Sequence, residues 1–438
     1  MDRPSQPFRV AVIGGGIAGL SAAWLLSQAH DVTLFEKAPR LGGHSLTVDV
    51  PGGAASVPVD MGFIVYNPPA YPNLTALFDY LDVPTQETEM SFAASLRGGA
   101  LEYSGTDMRG LFAQARNLVR PRFWSMLRDT LRFYRAALRD AATLDPELSL
   151  TDYLRRGGYG QAFLEDHLLP MAAAIWSTPA SLIGDYPAAA FIRFCANHGL
   201  LQITNRPPWR TVTGGSREYV RRLAAAFTGT LRLGCGITTI RRDPSSVWLR
   251  DSKGGDHRFD HVVIGAHADQ ALAMLSDPTD AESRLLGCLR YGPNPACLHQ
   301  DPRLMPRRRL VWSSWNYLER DKPGRLCATY WMNRLQDLPT EQQIFVTLNP
   351  DPSSDPAGLI RRETFEHPLF DSGAMRAQRE LWQLQGQGNT WFCGAYFGAG
   401  FHEDGLQAGL AVAEALGGLR RPWTTANPSG RLPLASAA

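Results

Sequence analysis

Lysine is nearly absent. The 438 residues hold only Lys37, Lys253 and Lys322, so arginine carries almost all of the positive charge. Lys and Arg total 44 against 42 Asp and Glu, a formal net charge of +2. That balance lacks the signature of a chain built to bind polyanions, so no nucleic-acid partner is expected. The arginine bias reads as genomic base composition. Cysteine is sparse and scattered (195, 235, 288, 297, 327 and 393) with no CxxC pair. Neither a zinc site nor a disulfide framework is indicated, no metal is expected, and a reducing compartment suits the chain. No apolar run approaches the ~18 residues of a membrane span. Nor does a secretory apolar region precede the first strand. The expected location is cytoplasmic, at most peripheral to the inner face of a membrane. There is no internal repeat.

What is present begins at Arg9–Gly19, RVAVIGGGIAG. Phe8 to Ile13 is a short β-branched run, the pattern of a buried parallel strand. Gly14, Gly16 and Gly19 follow at fingerprint spacing. Gly14 permits the tight turn, Gly16 lets backbone approach a pyrophosphate, and Gly19 lets the next helix pack on the sheet. Ile17 and Ala18 open that helix, whose free N–H groups and dipole favour an anion. A lone GxGxxG can be a mere structural turn. Here Asp31–Phe35 reads as a second strand ending at Glu36, twenty-two residues beyond Gly14, where a carboxylate can bind ribose hydroxyls. The reading is a dinucleotide site.

Arg40-Leu-Gly-Gly-His-Ser45 follows directly. The run from Glu36 and Lys37 through Arg40, Gly42, Gly43 and His44 resembles the two-dinucleotide-binding-domain flavoproteins: amine oxidases, phytoene desaturases and protoporphyrinogen oxidases. The position after the glycine pair is often Arg in that group and is His44 here. The resemblance implies FAD and an α/β, Rossmann-like fold with an interleaved α+β substrate domain. It also implies that Val57–Phe63, with Gly62 and Phe63, passes beside the flavin. Ile237 would contact the adenine by its backbone. The helix from Gly405 in HEDGLQAG would direct its N-terminus, with Asp404, Gly405 and Leu406, at the flavin pyrimidine after a last parallel strand ending at Gly394. There, free N–H groups favour negative charge on a reduced flavin. DMGFIVYNPPAYPNL and WFCGAYFGAGFHEDGLQAG resemble one bacterial branch of this superfamily, linked to cyclopropane-fatty-acid-synthase-like methyltransferases and to furan fatty acid formation. That likeness implies a lipid acyl substrate and a methyltransferase partner.

Domain segments expected on this basis are 1–85, 205–295 and 385–420 for FAD, 86–204 and 296–384 for substrate, and a loose Pro-rich tail at 421–438. Tyr71–Leu81 reads as a helix. Met108–Asp140 reads as basic amphipathic helices interrupted at Pro121, either a solvated face over ordinary core or a membrane-surface contact. His167–Trp176 and Phe191–Leu201 read as core or cavity lining. Leu310–Leu318 and Leu326–Met332 read as aromatic strands that suit the floor of an apolar pocket or ordinary sheet packing.

No second fingerprint is completed at Gly234-Cys-Gly236 or Gly398-Ala-Gly400, so electrons are expected to enter from an organic substrate. Amine oxidases of the resembled group usually hold a lysine near the flavin, but Lys253 and Lys322 read as polar-turn residues. The residues considered for catalysis are His402, then Glu403, with Tyr396 beside them. Structural or capping roles are the alternatives for His402, Glu403 and Asp404. A covalent flavin link at His44 or Cys393 is disfavoured. Three functions stay open. One is an FAD-dependent dehydrogenase or desaturase of a hydrophobic acyl substrate. The second is an oxidase of amines or amino acids, for which Arg193 or Arg206 would clamp a carboxylate. The third is a non-redox isomerase or lipid-presenting flavoprotein.

Overall fold

The computed structural model describes residues 6–52, 55–176, 183–319 and 327–433. A five-stranded parallel sheet runs in the order Thr230–Leu233, Asp31–Glu36, Arg9–Ile13, His261–Ile264, Thr390–Phe392. The first helix, Ile17–Leu26, is buried on every side, which is why it shows small and apolar residues all round rather than a stripe. It is held between the sheet and the last helix, His402–Gly417. A Cβ on Gly409 would come within 2.1 Å of the Ala18 carbonyl, so glycine sets this close approach. Ile237–Asp243, Ser246–Asp251 and Asp256–Phe259 form the expected meander.

A second, seven-stranded mixed sheet is ordered Arg361–Leu369, Arg290–His299, Phe345–Leu348, Ala328–Trp331, Trp315–Leu318, Phe92–Leu96, Leu101–Ser104. The hairpin of Thr47–Pro51 and Ser56–Asp60 packs Val50, Val57 and Val59 against its Ala296, Leu298 and Val346. Early sequence thereby joins the wall of the late sheet. Helices Pro121–Ala141 and Leu150–Arg156 both pack on Ala188–Asn197, and Leu169–Trp176 packs on the strand Trp315–Leu318.

The helical stretch does break at Pro121: the 3₁₀ turn Ala115–Val119 ends before it and a helix of 21 residues starts on it, because the first helical position needs no N–H donor. Several other expectations are corrected. Leu310 lies in a single 3₁₀ turn, Arg309–Val311, and its strand begins only at Trp315. There the Asn316 side chain accepts the Ser313 N–H and holds the intervening bend. Leu326 lies outside the described residues. The last helix starts at His402 rather than Gly405, since the Asp404 carboxylate accepts the Phe401 N–H at 2.8 Å. The Pro-rich tail is not loose through residue 433. Arg421 is buried on Glu414 and donates to Asn73, Trp423 stacks on Trp24, and Arg431 reaches Asp404. No helix among the described residues is long and apolar enough to cross a membrane.

Candidate active site

One continuous cavity of about 830 Å³ runs along the carboxyl ends of the parallel strands and under the second sheet. This is where open α/β sheets hold ligands.

Its first half is made of backbone. Gly14 has φ +99°, and a Cβ there would lie 2.8 Å from the Gly265 carbonyl. A Cβ on Gly19 would lie 2.0 Å from the Gly14 carbonyl. Gly42 and Gly43 also have positive φ, and Gly43 brings its backbone against Gly16. The first helix has neither a side-chain cap nor an acid in its first turn, so its N–H groups at Ile17 and Ala18 are left for a ligand. Glu36 accepts the N–H groups of Gly15 at 2.6 Å and Ala38 at 2.7 Å, which fixes its carboxylate at the end of the second strand. Arg40 donates to the carbonyls of Leu41, Gly43 and Ser45 and holds the glycine loop; burial lowers its pKa. Gly62 presses on the His44 carbonyl, which a Cβ would approach to 1.9 Å, and Phe63 donates its N–H to the same oxygen.

The last helix presents its N-terminus beside the first, with Gly405 against Ile17. His402 stacks on Phe63 at 3.9 Å, and its Nε2 meets Tyr219 Oη at 2.8 Å and Ser45 Oγ at 3.0 Å. Burial, and then His44, push its pKa down to about 3. Three further imidazoles crowd one wall. His44 lies 5.4 Å from His367 and 6.1 Å from His267 by ring centroid. Burial first, then mutual repulsion, lowers His44 to about 4 and His367 to about 3.

The cavity wall includes Gly14, Gly16, Ile17, Ala18, Glu36, Lys37, Arg40, Gly42, Gly43, His44, Gly62, Phe63, Ile237, Gly394, Tyr396, His402 and Gly405. Gly19, Glu403, Asp404 and Leu406 are not on it. Gly19 acts through packing, and Leu406 is core. Asp404 is spent on its own helix start and on Arg431. Glu403 points away from the cavity. Its buried carboxylate accepts from Asn73 N–H and side chain, Leu74 N–H and Gln407, and so caps the helix Pro72–Tyr80. This removes Glu403 as a base. Tyr396 is on the wall with its hydroxyl buried and unpaired. Arg193 and Arg206 are exposed and off the wall, so neither is the carboxylate clamp. Lys253 lies in a turn, and Lys322 falls outside the described residues.

The second half is made of side chains that local sequence did not connect. Trp176 and Phe194 lie 4.5 Å apart, Phe194 stacks on Phe401 at 4.8 Å, and His198 stacks on Phe194 at 4.0 Å. Trp209, Trp315 and Tyr330 continue this wall. The missed residues His267, His367, Ser45 and Tyr219 carried one weak signal. His267 follows the end of a parallel strand, where ligands bind.

The flavin-containing amine oxidoreductase family matches residues 17–343. The chain belongs to that family. As a family member it binds FAD and is an FAD-dependent oxidoreductase. The site fits the cofactor: a positive-φ glycine cradle, an uncapped helix N-terminus for the diphosphate, and Glu36 for a ribose. This flavoenzyme is 26% identical over 368 residues to AofH of Mycobacterium tuberculosis, named for flavin-containing monoamine oxidation, covering 82% of this chain and 74% of that one. Its fold is similar to a fatty acid isomerase from P. acnes that produces CLA (TM-score 0.65, 16% identity, 94% and 99% of the two chains). It is also similar to a putrescine oxidase (TM-score 0.68, 14% identity, 94% and 99%).

Proposed function

We propose that this flavoenzyme dehydrogenates a hydrophobic, acyl-type substrate, with hydride leaving one carbon, the proton of the adjoining carbon released to solvent, and the electrons passed to oxygen or another acceptor. The observation that carries the reading is the aromatic wall of Trp176, Phe194, Phe401, Trp209 and Trp315. Of the charged residues on the cavity wall, Glu36, Lys37 and Arg40 belong to the cofactor cradle, and Glu363 and Glu366 to the edge strand Arg361–Leu369. Such a wall desolvates an alkyl chain and offers a carboxylate no partner. Bound FAD supplies the hydride acceptor, N5 of its ring.

The chain's own residues position and exclude water. Phe63 and His402 stack to form a flat support, which Ser45 and Tyr219 hold in place by bonding His402 Nε2. The N-terminus of the last helix supplies a positive end for negative charge on the cofactor. His402 is a weak base, with its pKa near 3, far from the match to operating pH that general-base work needs. Its role is positioning.

That weak basicity favours a second reading. Hydride taken from an unsaturated chain and returned at another carbon would move a double bond with no base and no net oxidation. Anaerobic spectra of the holoenzyme separate the readings. Bleaching of the visible flavin band by unsaturated or methylated acyl lipids, with an oxidised chain as product, supports dehydrogenation. Isomerised product without lasting bleaching supports the second reading. Bleaching by amines alone overturns both in favour of amine oxidation.

A further inference from the structure

Away from the cavity, residues 97–124 and 307–310 build a surface with two properties at once. Met108, Leu118, Val119, Trp124 and Leu310 are exposed by 68, 52, 80, 48 and 70%. They are neighbours. The helix Met108–Leu111 packs on the turn Arg309–Val311. Trp124 donates its indole N–H to the Leu118 carbonyl at 2.9 Å, and its ring lies 5.7 Å from that of Phe112.

Arginines surround them. Arg97, Arg116, Arg307 and Arg308 line an open polar hollow over the backbone of Gly98–Ala100. Arg116 and Arg120 both donate to the Ala100 carbonyl. The nearby acids are already used. Buried Asp166 takes Arg97 and Arg122, and buried Glu102 takes Arg308 and the Arg307 N–H. Asp107 caps its own helix. No acid among the described residues is ion-paired with Arg116 or Arg120. Desolvation, then Arg116 and Arg97, lower the pKa of Arg120, as in a cluster of uncompensated positive charge.

Water solvates the guanidinium groups well and the apolar side chains poorly. A second copy of the chain would bury the apolar side chains but bring two arginine clusters together. An anionic bilayer satisfies both, since apolar tips enter the headgroup–acyl boundary while arginines meet phosphates. We propose that this face docks the enzyme on an anionic phospholipid bilayer, with Leu118, Val119, Trp124 and Leu310 inserted and the arginine hollow on lipid phosphate. The helix Pro121–Ala141 contributes Trp124 at its N-terminal end, while Phe123, Met126 and Phe133 on its other face are buried in the core. The proposal does not depend on the substrate reading, since an enzyme of any substrate could dock this way.

The test is co-sedimentation of the FAD-loaded enzyme with vesicles of phosphatidylcholine alone or mixed with phosphatidylglycerol, with Trp fluorescence as a second readout. Binding only to the anionic vesicles, with a blue shift absent in Trp124→Phe, is expected. Leu118→Ser with Val119→Ser should weaken binding at least about tenfold. Arg116→Gln and Arg307→Gln should weaken it about fivefold each. These side chains are exposed, and an unchanged flavin spectrum confirms the fold of each variant. No binding to anionic vesicles overturns the proposal. So does binding that salt abolishes but the apolar pair leaves unchanged, which would be surface charge without insertion. So does a dimer that the apolar pair dissociates, which would make a second copy the occupant.

Discussion

The two halves of the cavity are built from different materials. The half that receives the cofactor is backbone: Gly14, Gly16, Gly42 and Gly43 beside two helix N-termini. The other half is side chain, with Trp176, Phe194, His198 and Phe401 in ring contact. Backbone N–H groups recognise what every such cofactor shares, its anionic diphosphate. Aromatic rings instead select shape and apolarity, which vary from one substrate to another. One half is thus generic to the family, and the proposed substrate reading rests on the other.

Substitutions can break the contrast. Gly19→Val has the largest expected effect. Its Cβ would press on the Gly14 carbonyl from 2.0 Å, so stability should fall by at least about 3 kcal/mol and the protein should purify without flavin, read as the ratio of visible to ultraviolet absorbance. Phe194→Ala strikes the other half. It should cost about 3 kcal/mol in thermal or urea unfolding yet retain flavin, while substrate-dependent bleaching is lost. If it also loses flavin, the halves are not separable. Glu403→Gln should cost about 2 kcal/mol, by weakening the cap on the helix Pro72–Tyr80, with the flavin spectrum and turnover unchanged. A large loss of turnover at full stability would return Glu403 to the chemistry.

The smallest effect concerns pH. His44, His367 and His402 are held neutral, with folded pKa values of about 4, 3 and 3, against ~6.5 when unfolded. Below pH ~6.5 the unfolded chain binds more protons than the folded one. Stability is therefore full above that pH and is lost as pH falls towards 4. His402→Asn should flatten this dependence by up to about 1.4 kcal/mol per pH unit, measured by urea midpoints between about pH 6.5 and 5.5. Buried Asp60, raised to about 6, acts in the opposite sense and offsets part of the slope.

Legibility followed distance along the chain. The first strand, the glycine fingerprint, Glu36 and the glycine pair lie within one short stretch, so spacing alone placed Gly14, Gly16, Glu36, Gly42 and Gly43 on the cavity wall. The aromatic wall joins Phe194 to Phe401, and the Glu403 cap joins residues 330 positions apart; no local pattern announces such pairs. Acids one residue apart took different parts for the same reason. Glu403 is aimed by the helix at Asn73, and Asp404 at its own N-terminus and Arg431. The tail misled because proline content signals loose chain, whereas Arg421 and Trp423 anchor it.

By itself the sequence determined the parallel sheet, the dinucleotide turn and the flavin, because glycine spacing and apolar periodicity act through neighbouring backbone. Only the tertiary structure decided which aromatic side chains meet on the cavity wall, that His402 is buried against Phe63, Tyr219 and Ser45, and that apolar tips and arginines share one outer face. Burial and long-range contact set those properties, and both exist only once the chain has folded.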